Sequence, residues 1–218
     1  MGQKPGGNGE ARTVTVTGTG WAEAPPDLML VSVGVECRAE SVEGAYASVE
    51  EGLAAVGSVL RSHGIAPADI RSAGLAVRAD LAWRDGEGQK LVGYVASSSL
   101  TVRLRDLVSA SSVISGAVGA AGDNVRLNNL QLVLSDDAAV RAEAREAAWH
   151  DALRTAMQYA ALASATLGRV LSVTERPPAA GPVPLAGMQR TSASEGVAVE
   201  PGTNRIEAIV TATWALEQ

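Results

Sequence analysis

Phenylalanine is missing from this sequence, and three tyrosines and four tryptophans are its only large aromatics. A core is still affordable in area, because 46% of the residues are hydrophobic, but it must be built from valine, leucine and alanine. Cysteine occurs once, at Cys37, which excludes an internal disulfide and any cysteine-rich metal site. Its place on an inward-reading strand position marks a buried, inert thiol. The two histidines, His63 and His150, have no ligand-type residue four positions on, so no metal and no cofactor is expected. Lysine and arginine never cluster, and the net charge of −6 comes from interspersed acids and bases, which leaves nothing to attract nucleic acid. No apolar run approaches the roughly twenty residues needed for a transmembrane helix. Met1 to Arg12 is polar and glycine-rich and reads as a disordered tail, not an export signal. On the sequence as it stands the expected location is cytoplasmic, with a periplasmic or other extracytoplasmic one if a leader was removed.

What the sequence does have is alternation. From Leu28 to Ala39 the residues Met29, Val31, Val33, Val35 and Cys37 share one face, the mark of a strand buried on one side. Ser41 caps a helix through Ser62 that Gly64 ends. Leu75, Val77, Ala79, Leu81 and Trp83 form a second apolar row, and Asp85-Gly86-Glu87-Gly88 turns the chain into an antiparallel return from Lys90 to Arg105. Asp106 opens a helix through about Ala121. In Val125 to Leu134 the apolar positions change from odd to even, which predicts a one-residue bulge at Asn128-Asn129.

The longest stretch free of glycine and proline follows. It is predicted to be an alanine-rich helix opened by Ser135-Asp136 and stopped at Gly168, with Val140, Ala144, Ala147, Ala148, Ala152, Ala156, Tyr159, Ala160, Ala163 and Leu167 on its covered face. Shorter strands are expected from Thr13 to Thr19, before a turn or bulge bracketed by Gly18 and Gly20, from Arg169 to Glu175, and from Ile206 to Leu216. The class is α+β: a largely antiparallel sheet with a ferredoxin-like β-α-β-β-α-β core, the long helix and additional strands, with the helices on one face. The expected organisation is a tail over 1–12 and a single domain over 13–218, whose residues 177–203 form a long loop rich in proline and glycine.

Motifs that imitate catalytic ones have structural readings. Ser97-Ser98-Ser99 lies inside a strand, lacks the G-x-S-x-G elbow and has no histidine near it in sequence. Asp136-Asp137 suits the positive end of a helix. Gly116, Gly119 and Gly122 come late in a helix, where a phosphate cradle would need glycines before its start. Gly18-Thr19-Gly20 lacks the third glycine of a dinucleotide fingerprint. His63 sits at a helix C-terminus, where its charged form would meet the dipole favourably.

Several segments in order carry a resemblance. These are Val14 to Gly20, Ala24-Pro25-Pro26-Asp27, His63-Gly64-Ile65 with Asp69-Ile70, and Gly93-Tyr94-Val95-Ala96-Ser97. Leu134-Ser135-Asp136, Leu162-Ala163, Leu167-Gly168 and Glu200-Pro201-Gly202 complete the series. Over Thr13 to Leu216 the chain resembles SIMPL-domain proteins, the family that includes bacterial periplasmic immunogens. The resemblance implies an α+β fold, ring-like or channel-like oligomers in some members, and a part in tolerance of oxidative and other stress. It supplies no catalytic residues. The functional expectation is therefore a non-enzymatic, self-associating protein, with Pro182, Pro184, Leu185 and Met188 of the long loop as the candidate oligomer interface. The alternatives are a monomeric or dimeric adaptor that binds a protein partner, and a small-molecule binding domain.

Overall fold

The computed structural model describes residues 12–86, 88–176 and 201–218. The described residues have the α+β class expected, in the order β1 (Thr13–Ala24), β2 (Leu28–Ala39), α1 (Val42–Ser62), β3 (Ile70–Arg84), β4 (Gly88–Leu104), α2 (Ala110–Ala121), β5 (Val125–Val133), α3 (Ala138–Leu162), β6 (Thr166–Arg176) and β7 (Asn204–Glu217). All their strand pairings are antiparallel. The strands make two sheets, β1-β7-β6 and β3-β4-β2-β5, where the alternation had suggested one. The chain divides accordingly into two compact units, with boundaries after Ala24, after Ser135 and before Thr203.

The unit from Pro25 to Ser135 holds the four-stranded sheet. β2 and β3 are joined through α1 yet separated in the sheet by β4, which makes the crossover split. Met29, Val31, Val33, Val35 and Cys37 on β2, with Ala96, Leu100, Val102 and Leu104 on β4, meet Ala45, Val49, Val56 and Leu60 of α1 and Ala110, Val113 and Ala117 of α2. Each fully buried valine or leucine contributes roughly 1.5–3 kcal/mol. Burial also pushes the Cys37 thiol above its ordinary pKa, which suits an inert core residue.

α1 starts where Ser41 Oγ accepts from Gly44 N at 3.1 Å. It ends as Gly64, at φ +80°, turns the chain so that Ile65 N reaches Leu60 O. The bulge expected in β5 is present: Ser32 pairs with Asn129 and Val33 with Leu127, leaving Asn128 as the extra residue. Helix α2 begins later than expected. Asp106 uses its carboxylate to accept from Val108 N and Ser109 N, making a turn before the helix, and Ser109 occupies the capping position.

The other unit is α3 on the sheet β1-β7-β6. Ala144, Ala148, Ala152, Ala156 and Ala160 recur every four residues and are buried, making a smooth stripe along the helix. Of the residues expected on that face, Ala147, Tyr159 and Ala163 are exposed, and Leu167 lies beyond the helix in β6. The strand β1 runs straight through Gly18 and Gly20, so no turn forms there. A Cβ on either glycine would collide with the backbone of α3 at Ala148, and the lack of one lets helix and strand touch main chain to main chain. The spot is fixed by Asp151, whose carboxylate accepts from Thr19 N at 3.0 Å.

Both ends of α3 also differ from expectation. Ser135 does not cap it, because its backbone N–H and its hydroxyl both donate to the Asp27 carboxylate, each at 2.6 Å. Asp137 takes the capping position and Asp136 accepts from Ala138 N. The helix stops at Leu162, well before Gly168, because Ser164 adopts φ +51° and lets Ala165 N bond to Ala160 O and Ser164 N to Ala161 O. That is a glycine-type helix stop made by a serine.

Candidate functional site

The residues that could imitate catalytic groups are occupied in structural bonds. Ser99 Oγ donates to Ala73 O at 2.6 Å across the β3–β4 pair. His63 is the C-cap of α1 and packs beside Gly116 of α2, so this glycine serves helix contact. Asp137 pairs with Arg141 on the next turn of α3. The Asp27 carboxyl is held below its ordinary pKa by the hydrogen bonds from the Ser135 hydroxyl and backbone. The Asp69 carboxyl is likewise lowered by a two-point contact with Arg105, at 3.0 and 3.1 Å. Among the described residues no three potential metal ligands come together, and no helix is long and apolar enough to cross a membrane. Pro182, Pro184, Leu185 and Met188 lie outside the described residues.

Two surface features stand out instead. The first is a groove of about 450 Å³ beside α3, lined by Arg145, Trp149 and His150 of the helix, Val173 and Glu175 of β6, and Ala208 and Val210 of β7. It exists because α3 lies over β1 and β7 and leaves the β6 edge uncovered. Its inner wall is rigid, since Trp149 packs on the buried Trp214 with ring centroids 5.5 Å apart. Two of its lining residues are paired, Arg145 Nε donating to Glu175 Oε1 at 2.9 Å. Nothing in the sequence flagged it. Arg145, Trp149 and the β6 residues are ordinary in their own segments, and only the offset of helix from sheet brings them together.

The second is the β3–β4 hairpin. Its apolar row faces the same way as the core, since Leu75 pairs with Ser98 and Val77 with Ala96, but it runs past the cover of α1. Leu75, Leu81 and Leu91 are therefore half or more exposed, and Trp83 is 73% exposed. The opposite face is polar, with Arg38 and Asp80 3.4 Å apart and Glu36 between Arg78 and Arg126. Exposed pairs of this kind contribute about 0–1 kcal/mol each. The outer edge of β3 has no strand partner among the described residues.

These elements belong to a pattern seen elsewhere. The family model of SIMPL, described as a protein of unknown function (DUF541), matches residues 14–214, from the second residue of β1 into β7. The chain belongs to the SIMPL family. Among its SIMPL relatives, the 26 kDa periplasmic immunogenic protein of Brucella melitensis biotype 1 is 31% identical over 185 residues, which cover 82% of this chain and 72% of the relative. The uncharacterized protein YggE of Escherichia coli K12 is 30% identical over 181 residues, covering 83% and 72%. YggE of Edwardsiella ictaluri is also 30% identical, over 75% of this chain and 68% of that protein. The SIMPL match takes in the strands of both sheets, so the fold described above is the unit that the family shares.

Proposed function

We propose that this SIMPL protein acts without catalysis, by associating with copies of itself, and that the assembled surface serves in stress tolerance. The observation that carries the reading is the row of large apolar side chains left open along the β3–β4 hairpin, with Trp83 at its end. A long edge strand with an apolar face invites strand pairing and is normally covered in a working protein. In this reading the segment bearing Pro182, Pro184, Leu185 and Met188 forms a further contact on a neighbouring copy. The periplasmic location in the Brucella relative's name supports an extracytoplasmic setting over the cytoplasmic one. Light scattering on the full chain, and on a deletion of 179–197, tests both parts. A monomer at about 100 µM refutes self-association, and a deletion that assembles normally refutes the arm alone.

A second reading, small-molecule binding, is favoured by the groove beside α3, whose volume suits a small ligand and whose lining combines Trp149, Val173, Ala208 and Val210 with Arg145 and Glu175. A thermal-shift screen on the full chain tests it. Ligands that stabilise wild type but not Trp149→Ala support it, and a screen without a stabilising compound counts against it.

A further inference from the structure

The sequence of β3 is complementary to itself. Laid antiparallel against a second β3 with Ala79 opposite Ala79, Arg78 faces Asp80, Val77 faces Leu81 and Leu75 faces Trp83, and each pair occurs twice. Residues directly opposite in an antiparallel pair share a face, so apolar residues meet on one side and opposite charges on the other.

We propose that two copies of this chain join edge to edge through β3, about a two-fold axis at Ala79, making one continuous eight-stranded sheet from two four-stranded ones. The proposal rests on the self-association inferred above and names its surface. An antiparallel pairing of one strand with itself is two-fold by construction, so it closes as a dimer and does not run on into a fibre.

The register is selected by charge. Moving the axis to Arg78 sets Arg78 against Arg78, and moving it to Asp80 sets Asp80 against Asp80. A one-residue slip puts Val77 against Asp80 and turns the apolar row to the wrong face. The backbone agrees with the chosen centre. Gly74, at φ +64°, marks a bulge in β3, and from Leu75 to Arg84 the strand is regular, because the second irregularity of this hairpin falls in β4, at Val92. The nine residues Leu75 to Trp83 are thus the stretch that is both regular and symmetric about Ala79. Arg78 is mostly exposed and only in loose contact with Glu36, at 3.9 Å, while Asp80, which already meets Arg38 at 3.4 Å, would share its carboxylate between Arg38 and the partner's Arg78. At this seam Leu75, Val77, Leu81 and Trp83, all of them more than a third exposed, gain cross-strand neighbours on the partner copy.

The test is charge exchange in the full chain, read by sedimentation. Arg78→Asp and Asp80→Arg each create two like-charge pairs and should weaken the dimer at least about tenfold. The double variant, and an equimolar mixture of the two single variants, should restore it. Restoration by mixing separates lost pairing from misfolding, because misfolded chains would not recover one another. Independently, Ala79→Cys should form a disulfide-linked dimer under mild oxidation, since opposed Cα atoms lie about 5 Å apart across such a pair, while wild type, with Cys37 buried, should not. If wild type assembles but neither the charge variants nor the cysteine behaves so, the β3 pairing is refuted and self-association stands. A monomeric wild type refutes both.

Discussion

Replacing Gly20 by alanine adds one methyl group beneath α3, and the structure dictates what it meets. The new Cβ would lie against the backbone of Ala144, Ala147 and Ala148, and none of these atoms can swing aside as a side-chain tip would. To restore ordinary contact, helix and strand must separate by about 1 Å, and a gap of that size forfeits a quarter to a half of the dispersion energy along the stripe. Overpacking of this kind costs about 3 kcal/mol at the upper end of its usual range, while removing a glycine from a strand returns roughly 0.5–1 kcal/mol. The net loss is about 2 kcal/mol, or about 4–8 °C in melting temperature for a chain of this size. Gly119→Ala is the matched control. It makes the same chemical change in α2, with nothing within 4 Å of the new methyl, and should stabilise by up to about 1 kcal/mol. Both are read by circular dichroism melts and by urea titration, with the buried Trp214 as a fluorescent reporter on the sheet under α3. Equal stability of Gly20→Ala and wild type would refute the main-chain contact between β1 and α3.

The other expectations are smaller. Ser164→Gly should stabilise by about 1 kcal/mol, since it relieves a left-handed conformation imposed on a side chain while keeping the helix stop; a lower urea midpoint would contradict this. Ser41→Ala removes the α1 cap and should cost about 1 kcal/mol by the same titration. Asp27 and Asp69 both titrate below their unfolded value of 3.8, so they contribute stability above that pH and lose it as pH falls through their lower folded values. Ser135→Ala removes one of the two donors to Asp27 and should raise its pKa as followed by NMR, with a smaller drop in urea midpoint between pH 5 and pH 3 than wild type shows; an unmoved titration would discount the Asp27–Ser135 contact.

Local chemistry was the legible part of this fold. The cap at Ser41, the stop at Gly64 and the extra residue at Asn128 each depend on neighbours within a few positions, and the residue types there permit little else. The end of α3 was missed because its left-handed position carries Ser164, a residue that seldom adopts that conformation, and the next glycine lay in β6 instead. Gly18 and Gly20 read as a turn because glycine usually bends a chain, whereas here a helix more than a hundred positions later requires flat ground. The division into two sheets was equally hidden. Alternation shows that a strand has one buried face, but not which strand will lie beside it. The apolar row of β3 was visible as a row, and its exposure became apparent only once α1 proved to lie over β2 and β4, leaving the β3 edge open.

The pairing of β1 with β7, in register from Thr13 opposite Ala215 to Ala24 opposite Asn204, has a consequence for biosynthesis. The strand β1 is made before its partner β7 and cannot pair until β7 arrives about 190 positions later, which at 5–20 residues per second is a wait of roughly 10–40 seconds. The strands of the four-stranded sheet, which all lie between Leu28 and Val133, are free to pair during that interval. Until β7 has been made, the threonine-rich β1 must be kept from unsuitable partners, so nascent-chain protection is a demand written into the topology.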